Sequence, residues 1–114
     1  MRHRQLGRSE LDVPVVIFGA WALGGWQWGG SDDEQAVRAI QAAIDAGMNA
    51  IDTAPVYGFG HSETIVGRAI QGRRERVLVA TKVGLVWDDT RGDLFFETVD
   101  QNGVKREIRR NLRP

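Results

Sequence analysis

Residues 50–67, AIDTAPVYGFGHSETIVG, decide the fold. The first five, residues 50–54, are apolar enough for a short buried strand, and residues 55–61 carry the proline and glycines of a loop. Ser62 is predicted to cap a helix that ends before Gly72. The positions expected to face inward on this helix are Ile65, Val66, Ala69 and Ile70. The stretch therefore predicts one strand–loop–helix unit.

The same order occurs upstream. Residues 15–18 (VVIF) form a continuous apolar run, which is typical of a strand buried on both faces. A loop rich in glycine and tryptophan then leads to Ser31 and Glu34, which have the spacing of a capping box. Gly47 is predicted to end the helix that follows. The apolar face of that helix is expected at Val37, Ile40 and Ile44.

A third apolar run, residues 77–82 (VLVATK), follows the second helix. Strands that alternate with helices predict right-handed βαβ units and a parallel sheet. Residues 4–13 predict a short hairpin before the sheet. Further along, residues 94–99 predict a strand and residues 101–103 a hairpin turn, while the basic segment 105–113 is expected to be solvated. The final Arg-Pro pair resembles the start of a helix.

The composition is that of an ordinary globular protein, with 42% hydrophobic and 26% charged residues. Because 15 basic and 15 acidic residues balance, no overall charge favours nucleic acid or a membrane surface. The absence of cysteine excludes disulfides and thiolate metal sites, and we expect no metal. The N-terminus lacks the apolar core of a signal peptide, and no apolar run approaches the roughly 20 residues that span a bilayer. We expect a cytoplasmic protein.

The length limits how much of the sheet is present. Three strands and two helices leave sheet edges without partners, and unpaired edges need covering. A closed eight-stranded α/β barrel takes about 250 residues. Either the chain is a fragment or partner chains supply the missing strands. We expect the first, with residues 1–114 as the N-terminal portion of a single α/β barrel domain, truncated at the C-terminus.

Three ionisable residues fall at or just beyond the C-terminal ends of strands, where active-site groups of such proteins lie. Asp52 comes late in the second strand, Tyr57 lies in the loop after it, and Lys82 closes the third strand. A lysine charge makes a phenol a better acid, and a carboxylate offsets the cost of burying the lysine. Each residue alone has an ordinary explanation as a turn, packing or surface residue. Their shared end of the sheet favours a site that protonates a carbonyl oxygen during hydride transfer.

Residues 47–67 closely resemble the signature of the aldo-keto reductase family, which is a strand ending in Asp-Thr-Ala, then Tyr-Gly, then Ser-Glu opening a helix. Residues 79–82 resemble the family's second landmark and residues 19–25 its first βα loop, so the resemblance covers essentially the whole chain. It implies an incomplete (β/α)8 TIM barrel, with the first three parallel strands and two helices after a short N-terminal β-hairpin. The implied activity is NAD(P)H-dependent reduction of aldehydes or ketones to alcohols.

The resemblance also implies roles for individual residues. Tyr57 would be the general acid, Lys82 the residue that makes it more acidic, and Asp52 the partner of the lysine. The family's catalytic histidine is expected beyond the last residue, because neither His3 nor His61 occupies its place. The isolated chain is therefore expected to be inactive.

The implied cofactor is NADP(H), with NAD(H) as the alternative. Ala20, Trp21 and Asp52 are expected to contact its nicotinamide end, Ala20 through its backbone alone. A small-molecule carbonyl substrate is the expected partner. The residues that could line its pocket are Trp21, Trp26, Trp28 and Trp87. Plain packing explains the last three equally well.

Two other interpretations stay open. Residues 58–63 begin like the G-x-G-x-x-G fingerprint of a Rossmann nucleotide-binding domain but end in Glu63, and Lys82 and Val83 stand where an acidic residue is needed. The second interpretation is a non-catalytic binding or regulatory module on the same fold, since a fold does not fix an activity. The presence of all three ionisable residues argues against it.

Overall fold

A parallel three-stranded sheet is the centre of the fold, as the sequence predicted. Gly19 lies opposite Asp52, and Asp52 lies opposite Ala80, so the C-terminal ends of the strands share one edge. In spatial order the strands are β3 (Phe18–Gly19), β4 (Ala50–Asp52) and β5 (Leu78–Ala80). The loops that leave this edge carry the candidate site.

The computed structural model divides the chain into two units, Met1–Thr81, which contains this sheet, and Lys82–Pro114. The described residues are 1–25, 28–30 and 32–83, with the backbone of 85–86, 95–99 and 105–109. None of the helices in that part of the chain is both long and apolar enough to cross a membrane.

Two helices, α1 (Asp33–Asp45) and α2 (His61–Ala69), pack on each other and on the sheet. Ile40 of α1, Ile65 of α2 and Ile51 of β4 belong to one core cluster and are at most 1% exposed. Burying such a side chain contributes about 1.5–3 kcal/mol. The inward faces predicted for both helices are confirmed, because every residue predicted on them lies in this cluster or packs against it.

The predicted hairpin before the sheet is also confirmed. β1 (His3–Gln5) pairs antiparallel with β2 (Asp12–Pro14). An apolar concavity lies between hairpin residues, among them Leu6 and Leu11, and residues of β4 and β5. The order of hairpin, strand, helix, strand, helix, strand is the one predicted for the start of an α/β barrel.

The observed strands are shorter than the predicted ones. The sequence predicted strands at 15–18, 50–54 and 77–82, whereas the paired segments contain two, three and three residues. The strand buried on both faces at 15–18 is wrong in its bounds, because the side chains at 15–17 are nearly half exposed. An apolar run indicates which residues can be buried under neighbouring elements. The bounds of a strand are instead set by its backbone hydrogen bonds to the adjacent strands.

Neither helix begins at the cap that the sequence predicted. Asp32 caps α1, and its carboxylate accepts a hydrogen bond from the Gln35 amide at 2.9 Å, so the prediction of Ser31 as the cap is wrong. Gly60 precedes α2, and Ser62 lies inside the first turn with its side chain buried. Adjacent polar residues can each cap a helix, so the sequence pattern alone does not choose between them.

The predicted end of α1 at Gly47 is confirmed. Gly47 has a φ of +88°, a left-handed conformation that favours glycine. Its amide donates to the carbonyl of Ile44 at 2.9 Å, and the Met48 amide donates to that of Ala43 at 2.9 Å. These two bonds are those of a Schellman motif, which turns the chain from α1 towards β4.

The second unit contains an antiparallel sheet formed by β6 (Leu85–Val86), β7 (Phe95–Val99) and β8 (Lys105–Arg109). β7 confirms the strand predicted at 94–99. Within the segment predicted to be solvated, 105–113, β8 pairs with β7 along five residues. The solvation of its side chains stays a prediction. The predicted turn at 101–103 and the final Arg-Pro pair lie outside the described residues.

The cap of α1 gives a first test. We expect Asp32→Ala to lower the free energy of unfolding by about 0.5–2 kcal/mol, because an amide of the first turn loses its acceptor. Asp32→Asn keeps an acceptor oxygen and should cost much less. Urea unfolding of the purified protein measures both values, with Ser31→Ala as the matched control. A larger loss in Ser31→Ala than in Asp32→Ala would contradict the assignment.

Candidate active site

The candidate site lies at the edge of the sheet where the parallel strands end. Asp52 is the last residue of β4, as predicted, and it is partly buried. Its carbonyl oxygen accepts a hydrogen bond from the Ala20 amide at 2.8 Å, and the amide of Thr53 donates to the Ala80 carbonyl at 2.9 Å. These bonds fix the chain on both sides of Asp52 to the adjacent strands.

Tyr57 lies in the loop between β4 and α2 and is partly buried. Its amide donates to the carbonyl of Ala54 at 3.0 Å, and its carbonyl accepts from the amide of Ser62 at 3.1 Å. Both backbone groups of Tyr57 are therefore held by the chain around it. This restricts the directions in which the phenol can point.

Tryptophan side chains lie beside Tyr57. The ring of Trp21 stacks on that of Tyr57, with centroids 6.0 Å apart and planes 26° apart. Trp28 meets Trp21 edge to face at 6.0 Å and 77°. Trp21 and Trp28 are 50% and 56% exposed, so they present an aromatic surface next to the phenol. Trp26 and Trp87, the other predicted pocket residues, lie outside the described residues.

Ala20 is completely buried. Its amide donates to the Asp52 carbonyl, and its own carbonyl accepts from the Leu23 amide at 3.2 Å and from the Ser62 hydroxyl at 2.8 Å. The backbone groups of Ala20 are thus used inside the chain. The cofactor contact that the sequence predicts for Ala20 stays a prediction.

Ser62 is the residue that the sequence did not place in the site. It is fully buried, and its hydroxyl contacts the Thr53 hydroxyl at 3.0 Å as well as the Ala20 carbonyl. Sequence reasoning assigned Ser62 to the helix cap, because serine before an apolar helical pattern is usually a cap. The available signal was Gly60, two residues earlier. A glycine can itself precede a helix, and Ser62 then lies inside the first turn.

Lys82 lies two residues beyond β5 and is exposed, so its predicted place inside the third strand is wrong. It belongs to the second unit, and its approach to Tyr57 stays a prediction. The preceding residue, Thr81, belongs to the first unit, and its hydroxyl donates to the Glu63 carboxylate at 2.7 Å. The chain just before Lys82 is therefore attached to the first turn of α2.

The histidines have local roles in the structure. Nε2 of His61 lies 2.9 Å from a carboxylate oxygen of Asp33, which joins the starts of α2 and α1. Nδ1 of His3 contacts the Met1 carbonyl at 3.1 Å in the hairpin region. Both partners of the His61–Asp33 contact are about 40% exposed, and a polar contact this exposed contributes little to stability.

Comparison with known proteins identifies the relatives of this chain. The model of the Aldo/keto reductase family matches residues 15–113. The NADH-specific methylglyoxal reductase of Escherichia coli is 40% identical over 117 residues, which covers 100% of this chain and 34% of the relative. The chain spans 34% of the length of this reductase and of two relatives from Bacillus subtilis.

Solved structures give the same result. An aldo-keto reductase of Bacillus halodurans is 35% identical with a TM-score of 0.73, over 84% of this chain and 30% of that one. An aldo/keto reductase of Klebsiella pneumoniae, solved with NADP and acetate, is 40% identical with a TM-score of 0.56, over 63% of this chain and 24% of that one. The fold is accordingly an incomplete (β/α)8 TIM barrel preceded by a hairpin.

The stack between Trp21 and Tyr57 can be measured by a double-mutant cycle. We expect Trp21→Ala and Tyr57→Ala to couple by about 0.5–1.5 kcal/mol in unfolding free energy, because an aromatic pair contributes that much beyond its buried area. Urea unfolding of the wild type, both single variants and the double variant gives the coupling. Strictly additive effects would show that the two rings do not interact in solution.

Proposed function

Because this chain belongs to the aldo/keto reductase family, we propose that the protein of which it is a part reduces aldehydes or ketones to alcohols by NAD(P)H-dependent hydride transfer. The observation that carries the proposal is the position of Tyr57. Its phenol lies in the loop directly after Asp52 at the C-terminal edge of a parallel sheet, stacked on an exposed tryptophan. Catalytic groups of α/β barrels occupy this edge.

Tyr57 is the general acid in this proposal. As hydride adds to the carbonyl carbon, negative charge develops on the carbonyl oxygen, and a proton donor within hydrogen-bond distance neutralises it. Lys82 favours release of the phenol proton by its positive charge, and Asp52 pairs with Lys82 to offset the cost of bringing that charge into the site. The strand-end position of Asp52 and the bonded loop of Tyr57 support these roles.

A nicotinamide ring is proposed to bind at this edge. Trp21 is half exposed and stacked on Tyr57, so one of its faces is available to a planar ring. When bound, the nicotinamide supplies the hydride. Ala20, Trp21 and Asp52 are the proposed contacts to it. NADP(H) is the proposed cofactor, with NAD(H) as the alternative, since one relative is named for NADH and another was solved with NADP.

The proposed extent of the domain follows from the share of the relatives that the chain covers. Residues 1–114 form the N-terminal portion of one barrel domain in this proposal, and the catalytic histidine and most of the cofactor site belong to the remainder. The aromatic surface of Trp21 and Trp28 borders the pocket of a small carbonyl substrate. A cytoplasmic location is proposed with it.

Replacing the proposed acid tests the mechanism. We expect Tyr57→Phe in the full-length protein to lower kcat roughly 10²–10⁴-fold, since the ring stays while the proton donor is lost. The assay is NADPH or NADH oxidation with a reactive aldehyde such as a nitrobenzaldehyde. Trp28→Phe is the control for general disturbance of the aromatic surface. Near-normal turnover of Tyr57→Phe would exclude the acid role.

The division of the site between this chain and the remainder is a separate prediction. We expect purified residues 1–114 to show no NAD(P)H oxidation above the uncatalysed rate with the same aldehyde, because the proposed histidine and the loops that hold the cofactor are missing. The full-length protein under identical conditions is the positive control. Turnover by residues 1–114 at ordinary enzyme rates would show that these residues suffice.

A further inference from the structure

Ser62 joins the two loops that carry Trp21 and Tyr57. Its hydroxyl donates to the carbonyl of Ala20, which belongs to the loop after β3, at 2.8 Å. Because a serine hydroxyl has one hydrogen, the 3.0 Å contact with Thr53 has the Thr53 hydroxyl as donor. The Ser62 amide also donates to the Tyr57 carbonyl at 3.1 Å. One buried residue thus bonds to the backbone next to Trp21 and to the backbone of Tyr57.

The same loops meet at a second point, where two glycines are in backbone contact. A Cβ added to Gly24 would lie 2.6 Å from the amide nitrogen of Gly58, and one added to Gly58 would lie 2.2 Å from the carbonyl oxygen of Gly24. No side chain fits at either position. Gly58 also has a φ of +65°, which disfavours other residues. The backbone directly after Tyr57 is therefore in close contact with the backbone of the loop that carries Trp21.

Two attachments therefore join the chain near Trp21 to the chain that follows Tyr57. The first is the Ser62–Ala20 hydrogen bond, and the second is the Gly24–Gly58 contact; together they are termed the loop clamp. We propose that Ser62 is a positioning residue whose hydrogen bond to Ala20, with the Gly24–Gly58 contact, holds the phenol of Tyr57 where it can protonate the substrate oxygen. This inference rests on the reductase function proposed above.

The need for such a clamp follows from the geometry of proton transfer. A general acid acts across about 2.6–3.2 Å between heavy atoms, and a misplacement of about 1 Å can cost on the order of 10²-fold in rate. Tyr57 lies on a loop, and loops move more than strands. Two attachments to the neighbouring loop limit that movement.

If Ser62 only stabilised the fold, its loss would affect stability and not the position of Tyr57. A variant of Thr53 distinguishes this role from the proposed one. Thr53 and Ser62 lie on the same strand–loop–helix segment, so their mutual bond stabilises that segment without reaching the loop of Trp21. Thr53→Val keeps the shape of the side chain and leaves Ser62 able to donate to Ala20. Ser62→Ala removes both bonds and leaves the buried Ala20 carbonyl with one partner fewer.

The experiment compares these variants in the full-length protein. Both should lower the temperature of thermal unfolding, but we expect only Ser62→Ala to lower kcat, by roughly 10–100-fold, with a smaller change in KM. The near-ultraviolet circular dichroism of Ser62→Ala should also lose the contribution of Trp21, which is defined by the difference between wild type and Trp21→Phe. Equal kcat for Ser62→Ala and Thr53→Val, with unchanged dichroism, would overturn the inference.

A second pair of variants keeps the test decisive if Ser62→Ala does not fold. Gly24→Ala forces the two loops apart, and we expect it to lower kcat and change the dichroism in the same way. Gly67→Ala in α2 is its matched control, because the added Cβ meets no atom within 4 Å. Wild-type kcat and dichroism in Gly24→Ala would contradict the clamp.

If the wild type reduces no carbonyl, the proposed function fails. The dichroism of the same variants then still shows whether the clamp orders the Trp21–Tyr57 stack.

Discussion

The in-register pairing of Gly19, Asp52 and Ala80 is the constraint on which the candidate site depends. Parallel strands end at a common edge, so the residues that follow Gly19 and Asp52 are brought together although more than thirty positions separate them in the sequence. The amide of Ala20 and the amide of Thr53 extend the same pairing past the strand ends. Sliding β4 by one residue would reverse the sides on which its side chains lie.

Much of this arrangement is readable from the sequence. The apolar positions of both helices recur at helical spacing, and the alternation of strands and helices requires a parallel sheet. Asp52 and Tyr57 could therefore be assigned to one edge before any coordinates. The resemblance of residues 47–67 to a known family signature then gave each of them a role, and the family match over residues 15–113 confirms the family itself.

Two of the errors have a common physical origin. The bounds of the strands and the burial of Ser62 depend on partners distant in the chain, which local sequence patterns do not contain. The cap of α1 is instead a local bond between Gln35 and Asp32, and the sequence pattern placed it one residue too early. Gly24 and Gly58 illustrate the limit best: each looks like an ordinary loop glycine, and only their approach to one another shows why neither tolerates a side chain. The same holds for Ala20, whose backbone groups are consumed by contacts that span 32 and 42 positions.

The most direct measurement is a crystal structure of the full-length protein with the oxidised nicotinamide cofactor bound. We expect the hydroxyl of Tyr57 to lie within hydrogen-bond distance, about 2.6–3.2 Å, of the Lys82 ammonium, and to point at the nicotinamide carbon that carries the hydride. The Asp52 carboxylate should contact the same ammonium. A Lys82 side chain directed into solvent away from Tyr57, or a phenol turned away from the cofactor, would contradict the reductase mechanism.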